Sequence, residues 1–258
     1  MAFLHGEMRR IEETIRQREM GDAMSRWDFH ININGQFLSC TLRDPLKSTG
    51  ICILYLHGWG GDRETLGWLL DHLCAQGHYV LNFTQRGFDG SWGRRELSRW
   101  LPDAAAVVDY IASTTLEPWV FGLSTGGSLA IALSALQPEV RGCVALAPFA
   151  SFPRLFADRP DHRATLEKTF SDLDASMAAL NAEVAVREIA PRPLLLIHGD
   201  SDDVIPMDHS RLLYDKAGEP RRLRIFGGAN HVFSNIRQAD LCELVSEWIF
   251  ESRGRAGA

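Results

Sequence analysis

Ser124, His231 and a cluster of three aspartates lie in separate loops, and together they are the groups that one reaction needs. Ser124 sits in Gly122-Leu123-Ser124-Thr125-Gly126-Gly127, and His231 in Phe226-Gly227-Gly228-Ala229-Asn230-His231-Val232-Phe233. The acids Asp200, Asp202 and Asp203 follow Leu196-Ile197-His198-Gly199. A serine hydroxyl is a poor nucleophile at neutral pH; a histidine that takes its proton, oriented by a carboxylate, makes it a competent one. That chemistry is acyl transfer through a covalent intermediate. Spacing does not choose among the three aspartates, because two of them can cap the helix that begins near Pro206 or accept loop N–H groups.

A fourth loop supplies what such a reaction still lacks. A tetrahedral intermediate places negative charge on the former carbonyl oxygen, and two backbone N–H groups can stabilise it. Tyr55-Leu56-His57-Gly58-Trp59-Gly60-Gly61-Asp62 has glycines directly after an apolar run, which lets the main chain turn N–H groups inward. The segment has no Lys-Ser/Thr as in a P-loop, and the Gly-x-Gly-x-x-Gly dinucleotide pattern is absent.

Each of these loops needs a strand to hold it. Ile51–Leu56, Tyr79–Phe83, Trp119–Leu123, Gly142–Ala147, Leu194–Ile197 and Arg222–Phe226 read as strands, the apolar ones buried on both faces. Trp27–Ile33 and Gln36–Leu42 flank Asn34-Gly35, a hairpin signal. Helices are expected from about Arg63 to Gln76, from Pro102 through Ile111, after Ser124 up to Pro138, and from about Asn235 to Phe250. Gly-x-Ser-x-Gly between a strand and a helix is how a nucleophile elbow is written. The two glycines permit a turn too tight for a Cβ. The architecture implied is a mainly parallel α/β sheet of about eight strands, opened by an antiparallel hairpin and flanked by helices.

Two segments stand apart. Residues 1–25 carry Leu4, Met8, Ile11 and Ile15 at helical spacing, an amphipathic arm that packs on the body or docks on another subunit to form a homo-oligomer. Between Pro148 and Pro191, Leu166, Phe170, Leu173, Met177, Leu180 and Val184 recur every three or four residues. One or two amphipathic helices are expected there, with residues 149–190 acting as a lid over the site or as an extra core helix with a solvated acidic face. The main domain then runs over 26–258.

Composition narrows the class further. The chain has 258 residues, a net charge of −6, 45% hydrophobic and 23% charged residues, as one ordinary globular domain does. Arg94-Arg95 and Arg221-Arg222 are only pairs, so no basic patch suits nucleic acid. Cys40, Cys52, Cys74, Cys143 and Cys242 are odd in number and scattered, which points to free thiols in a reducing compartment. There is no Cys-x-x-Cys or His-Glu-x-x-His, no apolar signal segment and no run long enough for a membrane. A cytoplasmic protein without metal or organic cofactor is expected.

From about Phe29 to Phe250 these motifs resemble the α/β-hydrolase fold. The resemblance implies Ser124 as nucleophile and His231 as base. The pattern His-Gly-x-x-Asp-x-x-Val/Ile-Pro, laid on His198 to Pro206, selects Asp202 as acid, with Asp203 and Asp200 as substitutes. It makes the oxyanion donors the N–H groups of Trp59 and Thr125. Gln85-Arg86-Gly87-Phe88-Asp89-Gly90-Ser91 is similar to a supporting Arg-Gly-x-Gly-x-Ser segment, with Asp89 ahead of the second glycine. Leu123 and Thr125 stand where many relatives carry His and Met. The substrate implied is a small acyl compound, a carboxylic ester first, with a peptide or amide and a thioester as alternatives. A non-catalytic ligand-binding protein of the same fold is the rival of another class. Trp59, Phe88, Trp92, Phe149 and Phe152 are the candidate walls of an apolar substrate pocket, with core packing the competing role for at least two of them.

Overall fold

Asn34 and Gly35 both take positive φ, 54° and 83°, so strand β1 (Ser25–Ile33) turns onto β2 (Gln36–Asp44) through two residues, with Ile33 opposite Gln36. The Gly35 N–H donates to Asn32 Oδ1 across the turn. Six more strands follow in the computed structural model, which describes residues 24–256. They are β3 (Ile51–Leu56), β4 (Tyr79–Phe83), β5 (Glu117–Leu123), β6 (Gly142–Leu146), β7 (Leu194–Gly199) and β8 (Arg221–Phe226). The sheet order is β1-β2-β4-β3-β5-β6-β7-β8. The β1–β2 and β2–β4 pairs are antiparallel, and every later pair is parallel.

The central strands are apolar along their whole length because both faces are covered. Leu54, Val120, Ala145 and Leu196 point to one side and join one core. Their neighbours Ile53, Phe121, Val144 and Ile197 point to the other side and join a second core, the alternation that a pleated strand imposes. Helices α1 (Gly67–Ala75) and α9 (Gln238–Ala256) cover the second core with Leu69, Leu73, Val245 and Trp248. Helices α2 (Trp100–Ala112), α3 (Thr125–Leu136) and α8 (Asp208–Lys216) cover the first with Trp100, Val107, Leu129 and Leu213. A fully buried side chain of this kind stabilises the fold by about 1.5–3 kcal/mol.

Several boundaries depart from the sequence reading. Helix α1 begins at Gly67 rather than near Arg63, because residues 62–66 are spent on turns. Asp62 accepts the Glu64 N–H, Thr65 Oγ1 accepts the Asp62 N–H, and Leu66 adopts φ 65°. Helix α2 begins at Trp100, so Pro102 falls in its first turn, where its missing N–H costs nothing.

The segment 149–190 is not one or two helices. It is four short ones, α4 (Phe152–Asp158), α5 (Pro160–Thr169), α6 (Leu173–Ser176) and α7 (Ala182–Ala185). Pro160 starts α5, and Phe170 is extended after it. Leu166, Phe170, Leu173 and Leu180 are buried in the first core, whereas Val184 is 63% exposed and leaves the apolar pattern. The segment is thus packed on the body by the same residues that made its periodicity visible. The expected amphipathic arm of residues 1–25 lies outside the described residues except for its last two positions.

Because β3, β5, β6, β7 and β8 are parallel, their C-terminal ends share one edge of the sheet. The loops that carry His57–Asp62, Ser124, Asp200–Asp203 and His231 all emerge there, as ligand sites of parallel sheets do.

Candidate active site

Ser124 occupies the turn between β5 and α3 with φ 59° and ψ −123°. A non-glycine residue in that region costs on the order of 1–3 kcal/mol and persists only where its surroundings enforce it. They do. The Ser124 N–H donates to Leu146 O at 2.8 Å, and Ser124 O accepts from the N–H groups of Gly127 and Ser128. A Cβ on Gly122 would stand 2.0 Å from Gly126 O, and one on Gly126 would stand 2.0 Å from Leu56 O. The two glycines therefore close the turn on itself and on β3, rather than on the serine. It is Gly58 that abuts the nucleophile position, since a Cβ there would lie 2.8 Å from Ser124 Cβ. The turn also aims the positive end of the α3 dipole at the serine.

Asp202 and His231 meet between the loops after β7 and β8. His231 Nδ1 lies 2.8 Å from Asp202 Oδ2. A carboxylate only accepts, so Nδ1 carries the proton and Nε2 keeps its lone pair free. Asp202 Oδ1 accepts the N–H groups of Val204 and Ile205, each at 2.9 Å. His198 Nε2 approaches Asp202 Oδ2 to 3.1 Å, held by Ile205 O and by Ser210 Oγ on Nδ1. Burial alone would raise the Asp202 pKa, but the hydrogen bonds from His198 and His231 outweigh it and hold the carboxyl well below the usual range.

The other two aspartates do different work. Asp200 Oδ1 accepts the Gly228 N–H at 2.6 Å and so ties the acid loop to the histidine loop. Asp203 is exposed, and its backbone oxygen accepts from Arg159 Nε. The loops also touch through their backbones, for a Cβ on Gly199 would stand 2.1 Å from Ala229 O. Asn235 clasps the histidine loop from outside, donating through Nδ2 to Gly228 O and accepting the Asn230 N–H.

His57 is buried and fixes the glycine loop after β3. Its Nε2 accepts the Gln85 N–H at 2.9 Å, which leaves Nδ1 to donate to Gly58 O at 2.8 Å. Burial pushes its pKa down to about 4, so the ring is a neutral strut near neutral pH. Thr125 N and Trp59 N donate to no backbone oxygen among the described residues. Among the same residues the Ser124 hydroxyl forms no hydrogen bond.

A cavity of about 370 Å³ opens beside this loop. Its walls are Trp59–Asp62, then Thr84, Phe88, Asp89 and Arg95 from the loop after β4, and Thr169 at the end of α5. Of the aromatic candidates Trp59 and Phe88 line it, and Ser124, Asp202 and His231 are not among its walls. The other three aromatic candidates do not line it. Trp92 is 61% exposed and packs edge-on against Phe37 with ring centres 5.0 Å apart. Phe149 and Phe152 are each 1% exposed and stack on one another in the core at 4.6 Å.

Further residues complete the frame. Ser128 Oγ donates to Phe149 O and accepts the Phe149 N–H, pinning α3 to the loop after β6. Arg86 grips Asp103 of α2 through two bonds, at 2.9 and 2.5 Å. His198 stands at the end of β7 in the quoted His-Gly-x-x-Asp pattern, which does not say that its ring would meet the carboxylate, and Asn235 reads only as the start of the last helix.

An eight-stranded, mostly parallel sheet with helices on both faces and a serine at a strained strand–helix turn defines the α/β-hydrolase superfamily. Residues 48–181 match the family described as Serine aminopeptidase, S33 (Hydrolase_4), and the chain belongs to that family. It is 28% identical over 195 residues to the uncharacterized protein YfhR of Escherichia coli, a match that covers 73% of this chain and 65% of YfhR. The chain therefore spans a little under two thirds of that relative. The esterase YjfP of Escherichia coli is 26% identical over 189 residues (66% of this chain, 76% of YjfP). The monoacylglycerol lipase of Mycolicibacterium smegmatis is 26% identical over 246 residues (78% and 88%). Among solved structures, Est1E from Butyrivibrio proteoclasticus, with ferulic acid bound, superposes with a TM-score of 0.72 at 20% identity, covering 88% of this chain and 99% of that one. Among the described residues, no helix is long and apolar enough to cross a membrane.

Proposed function

We propose that the protein is a serine hydrolase that cleaves carboxylic esters through an acyl-enzyme. The observation that carries this reading is the His231–Asp202 hydrogen bond at 2.8 Å, which leaves Nε2 as the acceptor on a loop at the same sheet edge as the Ser124 turn. Ser124 Oγ attacks the acyl carbon while His231 Nε2 takes its proton; the serine–histidine contact closes on substrate binding, as catalytic hydrogen bonds commonly do. Asp202 holds the ring and stabilises the imidazolium. The N–H groups of Trp59 and Thr125 receive the oxyanion. His231 then returns its proton to the leaving alcohol, and water attacks the acyl-enzyme with the same base to release the acid and restore Ser124.

Ester rather than peptide chemistry is supported by the relatives named esterase and monoacylglycerol lipase. A cytoplasmic setting is supported by five buried free cysteines, since thiols persist in reducing compartments. Comparing p-nitrophenyl esters of two to eight carbons with aminoacyl p-nitroanilides tests the reading. Turnover of the esters is expected, and turnover of the anilides alone would overturn the choice of bond.

A further inference from the structure

The cavity beside the glycine loop contains one cation that is oriented but unspent. Arg95 lines it. Its Nε–H donates to Gly87 O at 3.1 Å, and the guanidinium lies 4.7 Å from the centre of the Phe88 ring. That platform is itself fixed, for Phe88 packs against His57, Trp100 and Phe170 at ring distances of 6.2, 5.8 and 6.1 Å. The backbone is held as well: Arg95 O accepts the Ser171 N–H, and a Cβ on Gly87 would stand 2.6 Å from Arg95 N. Arg86 is paired with Asp103 and Arg99 approaches Glu96, whereas Arg94 is exposed and is not among the walls of the cavity. Among the described residues Arg95 has no carboxylate partner, and its terminal nitrogens are left for something that enters the cavity.

Two carboxylates share the walls. Asp62 turns Oδ1 onto its own turn, accepting the Glu64 N–H. Asp89 is exposed and makes no side-chain contact among the described residues, so it must be ordered before it can hold anything. A planar guanidinium with both terminal nitrogens free matches a carboxylate through two parallel hydrogen bonds, and here the fork is already in place.

We infer that Arg95 is a specificity-determining residue, and that the preferred substrates are esters whose acyl part ends in a second, ionised carboxylate. This rests on the ester-hydrolase reading for the bond that is cleaved, but not for the recognition of charge. In the cavity the free carboxylate pairs with Arg95 while the chain between it and the scissile ester lies along Trp59 and Phe88.

Binding to a Ser124→Ala protein separates the two ideas, using three ethyl esters of similar length measured by calorimetry. They are monoethyl glutarate (anionic), ethyl pentanoate (neutral) and the ethyl ester of γ-trimethylammoniobutyric acid (cationic). Monoethyl glutarate should bind about tenfold more tightly than ethyl pentanoate, as one charge-assisted pair allows. Adding Arg95→Gln should abolish that ratio, and Arg95→Lys should keep part of it. Tightest binding of the cationic ester would assign recognition to Asp89 and overturn the inference. So would equal or undetectable binding of the anionic ester, or a ratio that survives Arg95→Gln. Release of ethanol by the Ser124→Ala protein would instead contradict the serine-hydrolase reading, while the ratio of affinities would still judge Arg95.

Discussion

Asp202 accepts bonds from both neighbouring histidines and from two backbone N–H groups, and in the proposed reaction it fixes which nitrogen of His231 is free. Asp202→Asn would keep the shape but allow the wrong tautomer, so kcat should fall by about 10⁴-fold. Asp203→Asn should keep most of the activity, because that side chain faces solvent. Equal losses in steady-state ester assays would refute the assignment. The hydrogen bonds that hold the Asp202 carboxyl low keep it ionised through mildly acidic pH. Residue type and loop position singled out Ser124 and His231 as candidates, and the loops that carry them leave the same edge of the sheet. The choice among three aspartates was not legible from spacing, because it depends on where each carboxylate points. Asp200 turns to Gly228 N–H, a contact that spacing does not encode.

At the scale of elements, backbones pressed together set the positions of the loops at the candidate site. Gly126 packs against Leu56 O, Gly122 against Gly126 O, and Gly199 against Ala229 O. Gly126→Ala should cost about 3 kcal/mol or more, the upper end of overpacking in a tight core, and thermal melts compared with wild type will show it. An unchanged midpoint would mean that the turn can open. The central strands β3, β5, β6 and β7 were readable because each is a short, mostly apolar run, a local signal. The breaks within residues 149–190 were not, because they depend on distant partners. Asp172, which ends the extended stretch after α5, spends its carboxylate on the N–H groups of Leu97 and Ser98. The start of α1 was misread for a similar reason, since Asp62 and Thr65 satisfy each other and hold the chain in turns.

Across the whole molecule, three buried histidines make stability depend on pH. Burial pushes His57, His78 and His209 down to about 4 each, against about 6.5 in an unfolded chain. Below pH 6.5 the unfolded chain gains protons that the folded one refuses. Stability is therefore complete above pH 6.5 and declines as pH falls toward 4. His57 alone contributes about 3 kcal/mol to that decline. Urea melts at pH 7 and pH 4.5 should differ by at least this amount, and equal midpoints would contradict the neutral-strut role of His57. The same fold brings four strand-end loops to one edge, and that convergence is the basis of the central claim that Ser124 is an activated nucleophile. Labelling with a fluorophosphonate, followed by peptide mapping, tests it most directly. Wild type should acquire one adduct on Ser124, and folded Ser124→Ala should acquire none. Failure of folded wild type to react, or equal labelling of Ser124→Ala, would show that the serine is not the nucleophile.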